Sequence, residues 1–152
     1  MATTDSTTDM RYEELRRALR SRNDLEPGTP ASPAEIDAVV AQLGDLPPDY
    51  RAFLGEFGWV SFGAYEIFGT GTGVPPYLDV VHMTESERDE GGLGSGLVAI
   101  MNDGGGNLAC IDCRSAASEF RIVLWLHETS HRDGPSAQAA TFSEFLAGKL
   151  NE

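Results

Sequence analysis

Residues 102–112 read NDGGGNLACID: Asn102 and Asp103, a run of three glycines ending at Gly106, Asn107, then an apolar segment that closes on Asp112. A second apolar segment, LVAIM, precedes it at 97–101. Glycines in such a place can cradle a phosphate, bend a metal loop or turn a hairpin. A phosphate loop leads into a helix and carries a lysine and a hydroxyl residue there. Here the following segment is strand-like, and the only lysine in the chain is Lys149. A calcium loop needs oxygen ligands at alternate positions and a distant glutamate, which Asp103 and Asn107 do not supply. The remaining reading is two antiparallel strands joined by a turn whose glycines provide positive φ.

Outward from that hairpin the chain divides cleanly. On its N-terminal side, Asp9 can cap a helix running to about Arg22, with Leu15, Ala18 and Leu19 on one face. Ser32-Pro33-Ala34-Glu35 is a capping box with proline at the first helical position. Ile36, Val39, Val40 and Leu43 continue that helix, and Gly44 stops it. Leu46-Pro47-Pro48-Asp49 opens a third helix with Tyr50, Phe53, Leu54 and Phe57 as its buried stripe and Gly58 at its end. Strand signals follow at 59–62, 65–68, 78–83, 97–101, 108–112 and 120–126. The stretch 85–96, ESERDEGGLGSG, reads as a mobile acidic loop. Thr141-Phe142-Ser143-Glu144 repeats the capping box, with Phe145, Leu146 and Leu150 as the apolar face of a closing helix. Helices, then strands, then one helix predict an α+β fold with a largely antiparallel sheet of about five to six strands. Residues 1–9 are expected to be a disordered tail and residues 10–152 a single domain.

Charge sets the class of partner. The chain carries a formal net charge of -13. Residues 1–22 hold five arginines against four acids, so residues 23–152 hold 20 acids against six bases, a net of -14. Such a body repels nucleic acid and anionic membrane and attracts a basic partner, although acidity also serves plain solubility. The opening MATTDSTTDM has no cationic region and no apolar stretch, so it does not read as a secretion signal. The longest apolar runs, 97–101 and 122–126, are far shorter than the roughly 20 residues a membrane helix needs. These features predict a cytoplasmic protein.

Two short strings imitate zinc chemistry. His127-Glu128-Thr129-Ser130-His131 matches the H-E-x-x-H of zinc peptidases, which needs both histidines on one helix face. The preceding residues are β-branched and aromatic, and in a strand two residues four apart stand ~13 Å from each other. A third protein ligand is also required, and His82 is the one remaining histidine, without motif support. Cys110-x-x-Cys113, thirteen residues before His127, matches a loose zinc-finger spacing. The same two histidines cannot serve both motifs. Two reduced cysteines, Cys110 buried in a strand and Cys113 at its end, explain the pair without metal. The expectation is no metal and no cofactor.

The pieces also resemble a known family. Leu46-Pro47-Pro48-Asp49-Tyr50-Arg51-Ala52-Phe53-Leu54 with Gly58-Trp59 is similar to the LP-x-D-Y-x-x-F-L…G helix of the SMI1/KNR4 proteins, the SUKH superfamily. Asn102-Asp103-Gly104-Gly105-Gly106-Asn107 resembles that family's N-D-G-x-G-N turn, with Asp112 where its next strand commonly ends. The segment 123–128, VLWLHE, resembles its late strand, and Ala140-Thr141-Phe142-Ser143-Glu144-Phe145-Leu146 its closing helix. The resemblance assigns structural roles to Leu46, Pro47, Tyr50, Phe53, Leu54, Gly58, Asn102, Asp103, Gly106, Asn107, Asp112, Phe142, Phe145 and Leu146. It places His127 and Glu128 at a strand end and leaves His131 in the next loop.

What the resemblance implies is binding without catalysis. Bacterial members are similar to cytoplasmic immunity proteins that neutralise a cognate toxin, often a nuclease; fungal relatives are interaction scaffolds in cell-wall signalling. A nuclease holds a polyanion in a basic cleft, which an acidic protein can cover with steered association. The candidate partner-binding residues are Glu85, Glu87, Asp89 and Glu90, joined by Asp79 and Glu66. The competing readings are a solvated loop for that run, a regulatory module for the protein, and a zinc hydrolase built on His127, Glu128 and His131.

Overall fold

The computed structural model describes residues 2–114 and 119–152. Helix α1 spans Ala2–Ser21, α2 Pro33–Leu43 and α3 Pro48–Phe57. Short strands β1 Glu26–Pro27, β2 Val60–Phe62 and β3 Tyr65–Ile67 lie among and after them. A 3-10 turn at Pro76–Leu78 leads into α4, Val80–Glu90. Strands β4 Leu97–Asn102, β5 Leu108–Asp112 and β6 Ile122–Trp125 follow. The chain closes with a one-turn helix α5 at Ser130–Asp133, strand β7 at Ser136–Ala139 and helix α6 at Phe142–Leu150.

The sheet is a seven-stranded antiparallel meander in chain order, β1 to β7. The α+β class and the closing helix are as the sequence predicts; the strand count is higher. The additional strands are the two edges. β1 is only two residues long and includes Pro27, and β7 is Ser-Ala-Gln-Ala and almost wholly exposed, so neither carries an apolar signal. At the centre, β4 and β5 are buried along nearly their whole length. The core joins them to Leu15 and Leu19 of α1, the Tyr50–Phe57 stripe of α3, and Phe142, Phe145 and Leu146 of α6. Ala18, expected on the buried face of α1, is exposed. Helix α1 also begins at Ala2, ahead of the expected cap at Asp9.

Two expectations between residues 78 and 96 are corrected. The strand over 78–83 and the start of the acidic loop are instead one helix, α4. Asp79 decides the matter: its Oδ1 accepts the backbone N–H of Val81 at 3.0 Å and of His82 at 3.5 Å, capping a helix where the apolar run alone suggested a strand. Val80 and Thr84, one turn apart, form its buried side. The helix lies against β4 where β3 no longer reaches. Thr84 Oγ1 accepts the Ala99 N–H at 3.0 Å and Arg88 Nη2 donates to the Leu97 carbonyl at 3.1 Å. Two side chains of a helix thus satisfy backbone groups that a longer β3 would have paired.

Candidate partner-binding surface

The residues singled out by sequence fall into two sets with different surroundings. The first set is internal and ties distant segments in pairs. Asp49, at the start of α3, is 5% exposed and reaches across to α6, where its Oδ2 accepts the Ser143 N–H at 2.9 Å and the Ser143 hydroxyl at 2.8 Å. This occupies a donor in the first turn of α6 that has no partner within the helix. Thr141 Oγ1 accepts the Glu144 N–H at 3.1 Å and completes that cap. Tyr50 and Phe53 meet Phe142 edge-on at 5.0 and 5.2 Å between ring centres, and the Tyr50 hydroxyl donates to the Phe68 carbonyl at 2.7 Å. Leu46, Pro47 and Leu54 are buried beside them. Gly58 ends α3 at φ +73°, and a Cβ there would lie 2.2 Å from the Thr29 carbonyl oxygen, so no other residue fits.

The glycine turn is tied in the same manner. Asn102 Oδ1 accepts the Gly104 N–H at 2.7 Å, and Asp103 Oδ1 accepts those of Gly105 at 2.8 Å and Asn107 at 3.2 Å. These donors, the Gly105 N–H first, hold the Asp103 carboxyl below its ordinary range. Asn107 Oδ1 accepts the His127 N–H at 3.1 Å and lies 3.1 Å from that ring's Nδ1. Gly106, at φ +92°, leaves room for the imidazole: a Cβ there would stand 3.1 Å from Nδ1. At the far end of β5, Asp112 is 1% exposed and takes a two-pronged bond from Arg114 at 2.8 and 2.9 Å, with Arg121 at 3.5 Å. The Arg114 bonds lower the Asp112 pKa.

The second set faces outward. Glu85, Asp89 and Glu90 are exposed on α4 and Glu87 is half-buried on it. His82, Glu85 and Asp89 recur at helical spacing and share its outer side. Asp79 is half-buried as the cap of α4. Glu66 is exposed on β3, paired across to Ser61 of β2, so it belongs to the sheet and not to the α4 surface.

The charges are distributed unevenly. Every arginine and lysine except Arg88 stands within ion-pairing distance of a carboxylate. Glu56 alone gathers Arg16 at 2.9 Å and Arg20 at 2.7 Å, binding α1 to α3. Arg88 is turned inward to Leu97. None of the four acids of α4 has an ion-pair partner among the described residues. Asp89 and Glu90 also occupy the last turn of α4, where the helix dipole opposes negative charge by about 0.3–1 kcal/mol each. A cavity of about 380 Å³ lies between α1 and α6 over Leu15, Ala18, Ala147 and Leu150, and none of the expected partner-binding residues lines it.

The family model SUKH_5, described as SMI1-KNR4 cell-wall, matches residues 11–151. The chain belongs to the SMI1-KNR4 family. None of the curated proteins compared with it matches. Two of the internal tethers join distant segments: Asp49 with Ser143 ties α3 to α6, and Asn107 with His127 ties the glycine turn to the end of β6.

This SMI1-KNR4 chain does not hold its zinc-like strings in zinc geometry. His127 sits in the turn after β6, whereas His131 is within the four-residue α5, so no one helix face carries both. Cys110 is buried on β5 and burial raises its thiol pKa; burial likewise pushes the Cys113 thiol up to about 12. His82 lies exposed on α4. Among the described residues no group of three or more His, Cys, Asp or Glu is placed to hold a metal ion, and no helix is long and apolar enough to cross a membrane.

Sequence reasoning missed three features of this surface. It did not find the helix that carries the acids, the inward turn of Arg88, or the exposed ring of Tyr77 just before Asp79. The Asp79 cap was legible as an Asp before an apolar run; the other two depend on packing.

Proposed function

We propose that this chain is a cytoplasmic, non-enzymatic immunity protein that neutralises a basic toxin domain, a nuclease being the fitting class, through the outer face of α4. The observation carrying the reading is the charge distribution. Every arginine and lysine but Arg88 stands beside a carboxylate, and the acids of α4 have no ion-pair partner among the described residues. Two of those acids sit at the helix end that disfavours them, so their presence costs stability and finds its use in binding. A basic cleft supplies the missing counter-charge, and the net charge of -13 steers encounter.

Co-expression with the neighbouring open reading frames tests this. The expected result is growth rescue from one toxic neighbour and a complex that co-purifies and weakens with salt. Replacing Glu85, Glu87, Asp89 and Glu90 by lysine is expected to abolish both. Equal rescue by that variant would remove α4 from the interface.

A second reading, a regulatory interaction module, has the family's cell-wall description in its favour. It predicts no toxic neighbour and capture of a housekeeping partner.

A further inference from the structure

The cavity between α1 and α6, about 380 Å³, is lined on its apolar side by Leu15 and Ala18 of α1 and Ala147 and Leu150 of α6. Arg11, Leu15 and Ala18 recur at i, i+4 and i+7, as do Ser143, Ala147 and Leu150, so each helix gives the groove one face about two turns long. Ala18 and Ala147 present only a methyl group to it. Ala18 is exposed and Ala147 and Leu150 are half-buried, so apolar surface on both walls stays uncovered. The groove is held at both ends. Arg11 Nη1 meets Glu144 Oε1 at 2.7 Å near the start of α6, and Arg22 Nη1 donates to the Leu150 carbonyl at 3.4 Å near its end.

Charge separates these two helices from the rest of the molecule. Together α1 and α6 hold five bases and five acids. The remaining residues hold six bases and 19 acids, which is the whole net charge of -13. A contact between two copies made through the rest of the chain sets net negative against net negative, which opposes association. A contact made through α1 and α6 does not. An isologous contact also sets one patch against itself, so it needs a patch in which both signs occur. Arg11, Glu14 and Glu144 supply both beside the apolar walls. A partner of one strong sign finds no net charge to meet here.

We infer that the groove between α1 and α6 is where a second copy of this chain docks, the two helix pairs packing across a twofold axis so that each apolar stripe covers the other. Helices with stripes at i, i+4 and i+7 pack against one another in four-helix arrangements. The inference goes beyond the α4 reading and does not rest on it, since none of the α4 acids lines the groove. Salt sets the two contacts apart. Screening relieves the repulsion between two chains of -13, so self-association strengthens with ionic strength, whereas binding of a basic partner weakens.

Sedimentation velocity of the intact protein over a dilution series, at about 0.01 M and 0.15 M ionic strength, tests this. The expected result is a monomer–dimer equilibrium that tightens with salt. Ala18→Glu and Ala147→Glu each put two carboxylates into the dimer contact and weaken association by at least about tenfold. Ala18→Lys also weakens it, although it makes the net charge less negative, which separates lost packing from added repulsion. Ala18 is exposed in the single copy, so circular dichroism of its variants should match the parent. A parent that stays monomeric at every concentration and salt overturns the inference. So does a dimer that both Ala18 variants leave intact, because its contact then lies elsewhere. A dimer that Ala18→Lys tightens overturns it too, because bulk charge alone then governs association. A monomeric parent whose toxin complex is lost in Ala18→Lys has another protein in the groove, which overturns the second copy as its occupant. The dilution series needs no toxin, so its result stands whether or not the α4 reading does.

Discussion

Asp49 joins α3 to α6 through its carboxylate. Its carboxyl oxygens accept the Tyr50 N–H at 2.9 Å within α3 and both the N–H and the hydroxyl of Ser143 in α6. Removing it leaves two donors of Ser143, a residue 2% exposed, without their acceptor. Asp49→Ala is therefore expected to cost about 2–3 kcal/mol, the range for hydrogen bonds to a charged group together with a lost helix cap. Urea denaturation checks this: the midpoint should fall while the slope against urea stays unchanged. Asn107 works at the opposite end of the sheet in the same way, and both residues are polar groups spent on joining segments far apart in sequence.

At the scale of elements, α4 sets helix stability against the binding proposed for it. Its inner side is held by Thr84 and Arg88, and its last turn bears Asp89 and Glu90 against the dipole. Replacing those two acids by lysine should stabilise the isolated protein by about 0.3–1 kcal/mol per site and raise its thermal midpoint, while weakening the complex with a basic partner. A calorimetric scan and a binding titration on the same double variant give the two signs; loss on both counts would show that the acids serve the fold. The same helix shows where the sequence was legible and where it was not. The capping box at Ser32 is realised, Ser32 Oγ taking the Glu35 N–H at 3.1 Å and the Glu35 carboxylate taking the Ser32 N–H at 2.9 Å. The central strands also stand at their apolar runs, since periodicity reports burial directly. Val80 and Val81 are β-branched and favour a strand locally, so α4 needed the Asp79 cap and the packing of Thr84 on β4 to be seen. Strand β7 has no apolar pattern at all and exists because β6 offers it an edge. The α4 residues of the candidate surface were legible as composition; Glu66 was grouped with them by charge and stands on β3. The exposure of Tyr77, by contrast, follows from a turn held by Gly69, which no local pattern announces.

For the molecule as a whole, the decisive quantity is the charge left after internal pairing. Arginine and lysine are almost all beside carboxylates, many on α1, yet 24 acids face 11 bases, and the negative surplus lies beyond residue 22. Two consequences have opposite dependence on salt. Like charges repel one another within the folded body, and this repulsion is relieved when mobile ions screen it. The internal ion pairs are mostly exposed and worth little singly, so their own screening subtracts less than the relief adds. Association with a basic partner is driven by the same surplus and is weakened by the same ions. Raising ionic strength from about 0.01 M to 0.15 M shortens the screening length from roughly 30 Å to 8 Å, from beyond the span of α4 to half of it. The thermal midpoint of the free protein should therefore rise across this range while the association rate with a basic domain falls by at least tenfold. Melting curves and stopped-flow mixing at matched salt concentrations give the comparison. A midpoint that fell together with the rate would mean that internal pairs dominate and that the acidic surplus is not what the surface is built around.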